Sequence, residues 1–116
     1  MDCKDLMVGD WVSYKDDPPY MVRGTSICKV VTIDNGIDHR NVMDDAISPI
    51  PLTDEILEKN GFVKTWNGDW QLKEYATIIV SKDYYVKIFE RSIRIDFVHE
   101  LQHALHAACI VKEIEL

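Results

Sequence analysis

Short apolar runs separated by tight-turn sequences are the feature that most limits what this chain can fold into. Gly9-Asp10, Asp34-Asn35-Gly36 and Asn67-Gly68-Asp69 combine residues that favour the backbone angles of tight turns. The runs between them are rich in β-branched and aromatic residues, which fit the pleated surface of a sheet. The sequence therefore predicts short strands joined in antiparallel sheets.

The first part of the chain, residues 1–52, predicts a small curled sheet of the SH3-like kind. Its predicted strands cover residues 11–14, 21–33 and 37–43. Asp34-Asn35-Gly36 is a strong hairpin signal between the last two of these strands. Residues 48–52 contain two prolines and predict an extended connector, because proline fixes its own φ and keeps the preceding residue out of the helical region.

The second part predicts a short helix followed by a β-meander. Thr53 can cap a helix over residues 54–60, because its hydroxyl can accept an unpaired N–H of the first turn. Asn60-Gly61 is a typical C-terminal stop. Four strands are then predicted, over residues 62–66, 70–72, 76–80 and 84–90.

A second helix is predicted from Asp96, acting as the N-cap, to about Ala108. Its apolar residues recur at helical spacing and are expected to pack on the meander. They are Phe97, Leu101, Ala104, Leu105 and Ala108. Residues 110–116 alternate weakly and predict either an edge strand or a frayed end.

These elements define an α+β protein. We expect one continuous core over residues 1–116, with a subdivision into 1–52 and 53–116 as the alternative. The net charge of −7 repels phosphate backbones and argues against nucleic-acid binding, since a barrel-like sheet that bound nucleic acid would need a basic patch. Without a long apolar run or a leader-like start, the expected location is the cytoplasm, with no membrane contact.

The three cysteines are odd in number and widely spaced, which predicts reduced thiols rather than a disulfide or zinc framework. Cys28 lies in an alternating apolar run and Cys109 in an Ala-rich helix end, so both are expected to pack as small hydrophobic residues. No phosphate loop, nucleophile elbow or cofactor motif is present, so the sequence predicts no cofactor.

The segment His99-Glu100-Leu101-Gln102-His103 matches HExxH, in which two histidines one helical turn apart bind zinc and the glutamate activates water. A catalytic zinc site needs a third protein ligand. Few residues follow His103, and His106 replaces the glycine of the longer HExxHxxGxxH signature. Ligands from elsewhere are conceivable: Glu113, Glu115, Cys3, Cys28 or His39. The structural interpretation puts His99, His103 and His106 on the solvated helix face, opposite the apolar stripe.

Aromatic residues offer the other candidate surface. Trp66 and Trp70 flank the Asn67-Gly68-Asp69 turn, where they either display an aromatic binding patch or lock cross-strand packing. Tyr84 and Tyr85 are adjacent in a predicted strand, so they face opposite sides and at least one is expected to be exposed. A homodimer contact there is a hypothesis.

Three stretches stand out: residues 6–12 with Gly9-Asp10-Trp11-Val12, residues 49–53 together with residues 55–62, and residues 98–102. Together they resemble a family of small hypothetical proteins from gut bacteria and their phages and mobile elements. The resemblance implies no activity and no catalytic residue. In that family the position matching His103 is often not histidine, which implies that the zinc-like spacing belongs to a structural helix.

Two functional hypotheses follow. The preferred one is a non-enzymatic cytoplasmic accessory protein of a phage or mobile element that contacts an unknown protein partner through exposed aromatic or sheet-edge surface. The alternative is a minimal zinc-dependent hydrolase, with His99 and His103 as metal ligands and Glu100 as general base.

Overall fold

A computed structural model describes residues 1–26, 29–75, 77–88 and 91–116. In these residues the chain forms two five-stranded antiparallel sheets and two α-helices, which confirms the predicted α+β class. The chain separates into two compact units, Met1–Ile50 and Pro51–Leu116. The predicted subdivision follows Leu52; whether the units share one core stays a prediction.

The first unit is a single sheet with the strand order β4-β3-β2-β1-β5. Its strands are β1 Trp11–Tyr14, β2 Tyr20–Thr25, β3 Val30–Asp34, β4 His39–Met43 and β5 Ile47–Pro49. The core consists of alternate inward-facing residues, as half-buried strands require. Its buried members are Leu6, Val12, Tyr20, Val22, Val31, Ile33 and Ile47. The SH3-like character of this sheet stays a prediction.

One prediction for this unit was wrong, and another was correct in its extended conformation but incomplete. The predicted strand over residues 21–33 is two strands, because Ser26 and Lys29 make turn hydrogen bonds and Lys29 adopts a φ of 64°. The predicted connector over residues 48–52 is partly strand, since Ile47–Pro49 pairs with β1. A proline is tolerated there because β5 lies at the sheet edge.

The second unit begins with the helix α1, Asp54–Lys59, whose first turn is capped by Thr53 as predicted. The Thr53 hydroxyl accepts the Ile56 N–H at 3.3 Å. The meander has the order β10-β9-β8-β7-β6. Its strands are β6 Phe62–Lys64, β7 Trp70–Leu72, β8 Ile79–Val80, β9 Tyr85–Ile88 and β10 Arg91–Arg94.

The meander differs from the prediction at its ends. The prediction of four strands omitted β10, and the predicted strand over residues 84–90 runs past β9 into residues outside the described part. Ala76, the predicted start of another strand, also lies outside it. The strand predicted over residues 62–66 stops at Lys64, because the Thr65 N–H donates to the Asp69 carbonyl at 2.7 Å and begins a turn.

The second helix, α2, covers Val98–Ala107 and contacts β9. Its buried face includes Val98, Leu101, Ala104 and Leu105, which confirms the expected apolar contact with the meander. Asp96 is not the N-cap as predicted. The cap position is Phe97, which has extended backbone angles.

Residues 110–116 form neither an edge strand nor a frayed end. The Asn60 side chain accepts the Glu115 N–H at 2.7 Å and donates to the Glu115 carbonyl at 2.7 Å. Ile114, next to this contact, is buried. The tail is therefore docked, without regular secondary structure, on the end of α1.

Candidate functional site

The HExxH segment lies on α2, but its histidines do not share one solvated face as predicted. His99 is only 8% exposed, His103 is half-buried and His106 is exposed. The His99 ring stacks on Phe97, with 6.0 Å between centroids, and lies nearly perpendicular to the His103 ring, with 5.5 Å between centroids. Phe97 precedes the helix in extended conformation, so its ring covers His99 rather than extending the apolar stripe.

Glu100 caps the N-terminal end of this helix. Its Oε1 accepts the N–H groups of Asp96 at 3.0 Å and Phe97 at 3.1 Å. A glutamate at the third helical position commonly reaches back in this way to satisfy amides at a helix start. The residue proposed as a general base therefore has a structural function, which supports the packing interpretation of the segment.

The structure brings no third metal ligand to the histidine pair within the part of the chain it describes. One group of three candidate ligands there has its ligand atoms within 4.8 Å of one another, and it is Asp2, Cys3 and Asp44. His99 and His103 belong to no such group. The zinc-hydrolase interpretation stays a hypothesis that this geometry does not favour, because a catalytic zinc needs three protein ligands.

Sequence reasoning did not find the Asp2, Cys3 and Asp44 cluster, because Asp44 is distant in sequence from the other two. The buried Asp44 carboxylate accepts the Cys3 N–H at 3.0 Å. The Met1 ammonium donates to the carbonyls of Asp44 at 2.9 Å and Ile47 at 3.2 Å. These hydrogen bonds explain the cluster as a tie between the first residues and the turn that precedes β5.

The cysteines follow the prediction in part. Cys3 and Cys109 are free thiols, as expected. Cys109 is exposed instead of packed: it lies beyond the end of α2, with a φ of 59°. Cys28 lies outside the described residues.

The two tryptophans of the β6–β7 hairpin have opposite environments. Trp70 is 6% exposed in the core, whereas Trp66 is 98% exposed at the turn. Among the described large apolar side chains that are exposed, Trp66 has the highest exposed fraction. Trp70 therefore packs, as one interpretation expected, and Trp66 is exposed; a binding role for Trp66 stays a prediction.

The turn that carries Trp66 is held by hydrogen bonds on both of its sides. The Gly68 N–H donates to the Thr65 carbonyl at 3.1 Å, and Gly68 has a φ of 92°, which favours glycine. The Asp69 carboxylate accepts the Lys82 N–H of the next turn at 3.2 Å. A turn fixed in this way leaves the backbone around Trp66 with little conformational freedom to lose on binding.

Tyr85 is 39% exposed, which confirms that at least one of the two tyrosines faces solvent. Tyr84 is not a strand residue: it has a φ of 62°, and its hydroxyl donates to Asp54 at 2.6 Å. Burial and this hydrogen bond raise the pKa of Tyr84 to about 12. The homodimer contact proposed for this pair stays a prediction.

Comparisons with family models, curated proteins and solved structures give no match to this chain. No helix in the described residues is long and apolar enough to cross a membrane.

Proposed function

We propose that this protein is a non-enzymatic protein-interaction module that uses the β6–β7 turn to bind its partner. The single observation that carries the proposal is the 98% exposure of Trp66 on an ordered turn. Tryptophan is among the residues most enriched at binding hot spots, where burial of its large apolar surface against a partner supplies much of the affinity.

Trp66 is available for binding, and the stability of the fold does not require it. A ring so fully exposed makes little contact within its own molecule, so the fold does not depend on it. Trp70, four residues later, is buried and supplies the packing that the hairpin needs. The chain therefore keeps one exposed tryptophan that stability does not require, and a partner surface is its simplest use.

The context proposed for this function is an accessory protein of a phage or mobile element acting in the cytoplasm. It is supported by the sequence resemblance noted above. The net charge of −7 makes a protein partner more suitable than a nucleic acid. A homodimer is a further proposal, which sedimentation over a range of concentrations would test.

The test is affinity capture from bacterial lysate with the wild-type chain and two variants, Trp66→Ala and Ile37→Ala. Ile37 is the matched control, because it is 85% exposed in the turn between β3 and β4. Loss of a hot-spot tryptophan costs about 2 kcal/mol or more, roughly thirtyfold in affinity. We expect a partner retained by wild type and Ile37→Ala and lost with Trp66→Ala. Equal capture by all three proteins, or capture by none, would contradict the proposal.

A further inference from the structure

The strand β10, Arg91–Arg94, is an edge of the second sheet, and all four of its side chains are exposed. It pairs with β9 on one side, with Ser92 opposite Lys87 and Arg94 opposite Tyr85. On its other side no strand within the described residues pairs with Arg91–Arg94; that side is taken up only past the end of β10, where the Leu52 N–H donates to the Asp96 carbonyl at 2.9 Å. An edge of this kind presents backbone donors and acceptors to an incoming strand.

The hydrogen-bond pattern identifies which backbone groups point outward. The Ile95 N–H donates to the Tyr84 carbonyl at 2.8 Å, so Ile95 directs its backbone groups toward β9. Because alternate residues of an antiparallel strand face the same neighbour, Ile93 and Arg91 also face β9. Ser92 and Arg94 consequently direct their N–H and carbonyl groups away from the sheet.

The charge of this edge is opposite to that of the whole protein. Strands β9 and β10 carry Lys87, Arg91 and Arg94 and no acidic residue in their described segments, while the net charge is −7. The Arg94 guanidinium lies 5.5 Å from the centre of the Tyr85 ring, and its Nε is 3.0 Å from Asp96. Asp96 therefore offsets the charge of Arg94, and the local excess of positive charge rests on Lys87 and Arg91.

This charge distribution favours some binding partners for the β10 edge over others. A second copy of β10 would bring four arginines together on adjoining strands, and like charges across a strand pair are destabilising. A nucleic acid carries many phosphates and is repelled by the net charge of the protein. A short acidic segment complements the local cations and has few charges exposed to that repulsion.

We propose that β10 binds an extended, acidic segment of a partner protein, which adds to the sheet as a strand opposite Ser92 and Arg94. Backbone hydrogen bonds supply the affinity in such strand addition, and side-chain complementarity supplies the specificity. The proposal rests on the proposed function, because the occupant is a protein. It concerns a different surface from Trp66.

The test uses a short peptide alternating glutamate with valine, and a second peptide with lysine in place of glutamate. Isothermal titration calorimetry measures the affinity, and NMR amide shifts locate the peptide. We expect the acidic peptide to bind more tightly than the lysine peptide, with an affinity that falls as salt is added. Its binding should shift the amide resonances of Ser92 and Arg94.

Two substitutions separate backbone pairing from charge. Ser92→Pro removes one outward N–H at an edge position, where proline is tolerated, and should weaken binding about three- to tenfold. Arg91→Glu should weaken binding without affecting backbone pairing, so it keeps the test decisive if the proline variant does not fold. Lys73→Glu is the charge-matched control, because Lys73 is exposed in the same unit, and should bind as wild type does.

Several outcomes would overturn the proposal. They are equal binding of the two peptides, shifts that map away from β10, tighter Arg91-dependent binding of a thymidine oligonucleotide, and dimerisation abolished by Ser92→Pro. Trp66→Ala should bind the acidic peptide as wild type does. If the acidic peptide does not bind but capture of a partner still depends on Trp66, only this inference is refuted. If the peptide binds but capture does not depend on Trp66, only the role of Trp66 is refuted.

Discussion

The side chain of Asn60 pairs with the backbone of Glu115 in both directions, as one strand pairs with another. Its Oδ1 accepts the Glu115 N–H, and its Nδ2 donates to the Glu115 carbonyl and to the Ile56 carbonyl at 2.8 Å. Asn60 is buried, so water cannot replace these bonds. The contact joins the end of α1 to residues that lie 55 positions later.

Replacement of Asn60 by alanine should therefore destabilise the protein by about 2 kcal/mol, since it removes both part-buried hydrogen bonds to the Glu115 backbone. The midpoint of urea unfolding measures the change in the free energy of unfolding. The control is Asn41→Ala, at an exposed position of β4, which should change stability by about 0.5 kcal/mol or less. Equal effects of the two substitutions would show that the contact between Asn60 and Glu115 does not stabilise the fold.

The two tryptophans of one hairpin should have unequal effects on stability. Trp66→Ala should leave the free energy of unfolding within about 0.5 kcal/mol of wild type, because the ring is solvated. Trp70→Ala should cost about 3 to 5 kcal/mol, because it opens a cavity in the core. Thermal unfolding followed by circular dichroism measures both. A large loss with Trp66→Ala would show that Trp66 has a structural function.

The high pKa of Tyr84 predicts a loss of stability in alkali. In the unfolded chain the phenol titrates near pH 10, whereas in the fold burial and the hydrogen bond to Asp54 raise the pKa of Tyr84 to about 12. The folded state therefore favours the protonated phenol, and this contribution is complete below pH 10 and is lost as the pH rises toward 12.

Tyr84→Phe should remove this part of the pH dependence, measured as urea midpoints between pH 9 and pH 12. Some alkaline loss should persist in the variant, because burial and the hydrogen bond to Asp17 also raise the pKa of Tyr20. An unchanged pH profile would show that Tyr84 does not contribute.

Substitution of Glu100 separates a structural from a catalytic function. Glu100→Ala removes the acceptor for the Asp96 and Phe97 amides and should cost about 1 kcal/mol. Glu100→Gln keeps an acceptor oxygen and should retain most of the stability, although it would inactivate a general base. Chemical unfolding measures both variants. A loss as large for glutamine as for alanine would contradict the capping function.

Metal content tests the hydrolase alternative directly. Protein purified without a histidine tag, together with His103→Ala, should contain no stoichiometric zinc by elemental analysis if α2 is a structural helix. Stoichiometric zinc in wild type that is lost in His103→Ala would restore the hydrolase hypothesis. A peptide-hydrolysis assay would then follow.

The parts of the fold that local chemistry determines were predicted from the sequence. Thr53 caps α1, Asn60-Gly61 ends it, and the Asn67-Gly68-Asp69 turn joins two strands. Each of these depends on residues within a few positions of one another. Composition and turn signals therefore sufficed for the α+β class and for most of the meander.

The remainder depends on contacts between distant residues or on fine register. The strand β10 contains one apolar residue, Ile93, and all its side chains are exposed, so no hydrophobic alternation marks it. His99 is buried and stacks on Phe97, which a helical projection that starts at Asp96 does not show. Trp66 and Trp70 look equivalent in sequence, and only the start of the turn at Thr65 decides which is exposed.

The arrangement of Trp66 and Trp70 also gives the molecule two optical signals that report different events. In a Trp11→Phe background, Trp66 should emit at long wavelength and be quenched by iodide, while the buried Trp70 is shielded from the quencher. A partner that covers the turn would reduce the quenchable fraction and leave the shielded emission constant. Unfolding would expose both indoles. Iodide quenching of one sample therefore distinguishes partner binding at the turn from unfolding, without an attached dye.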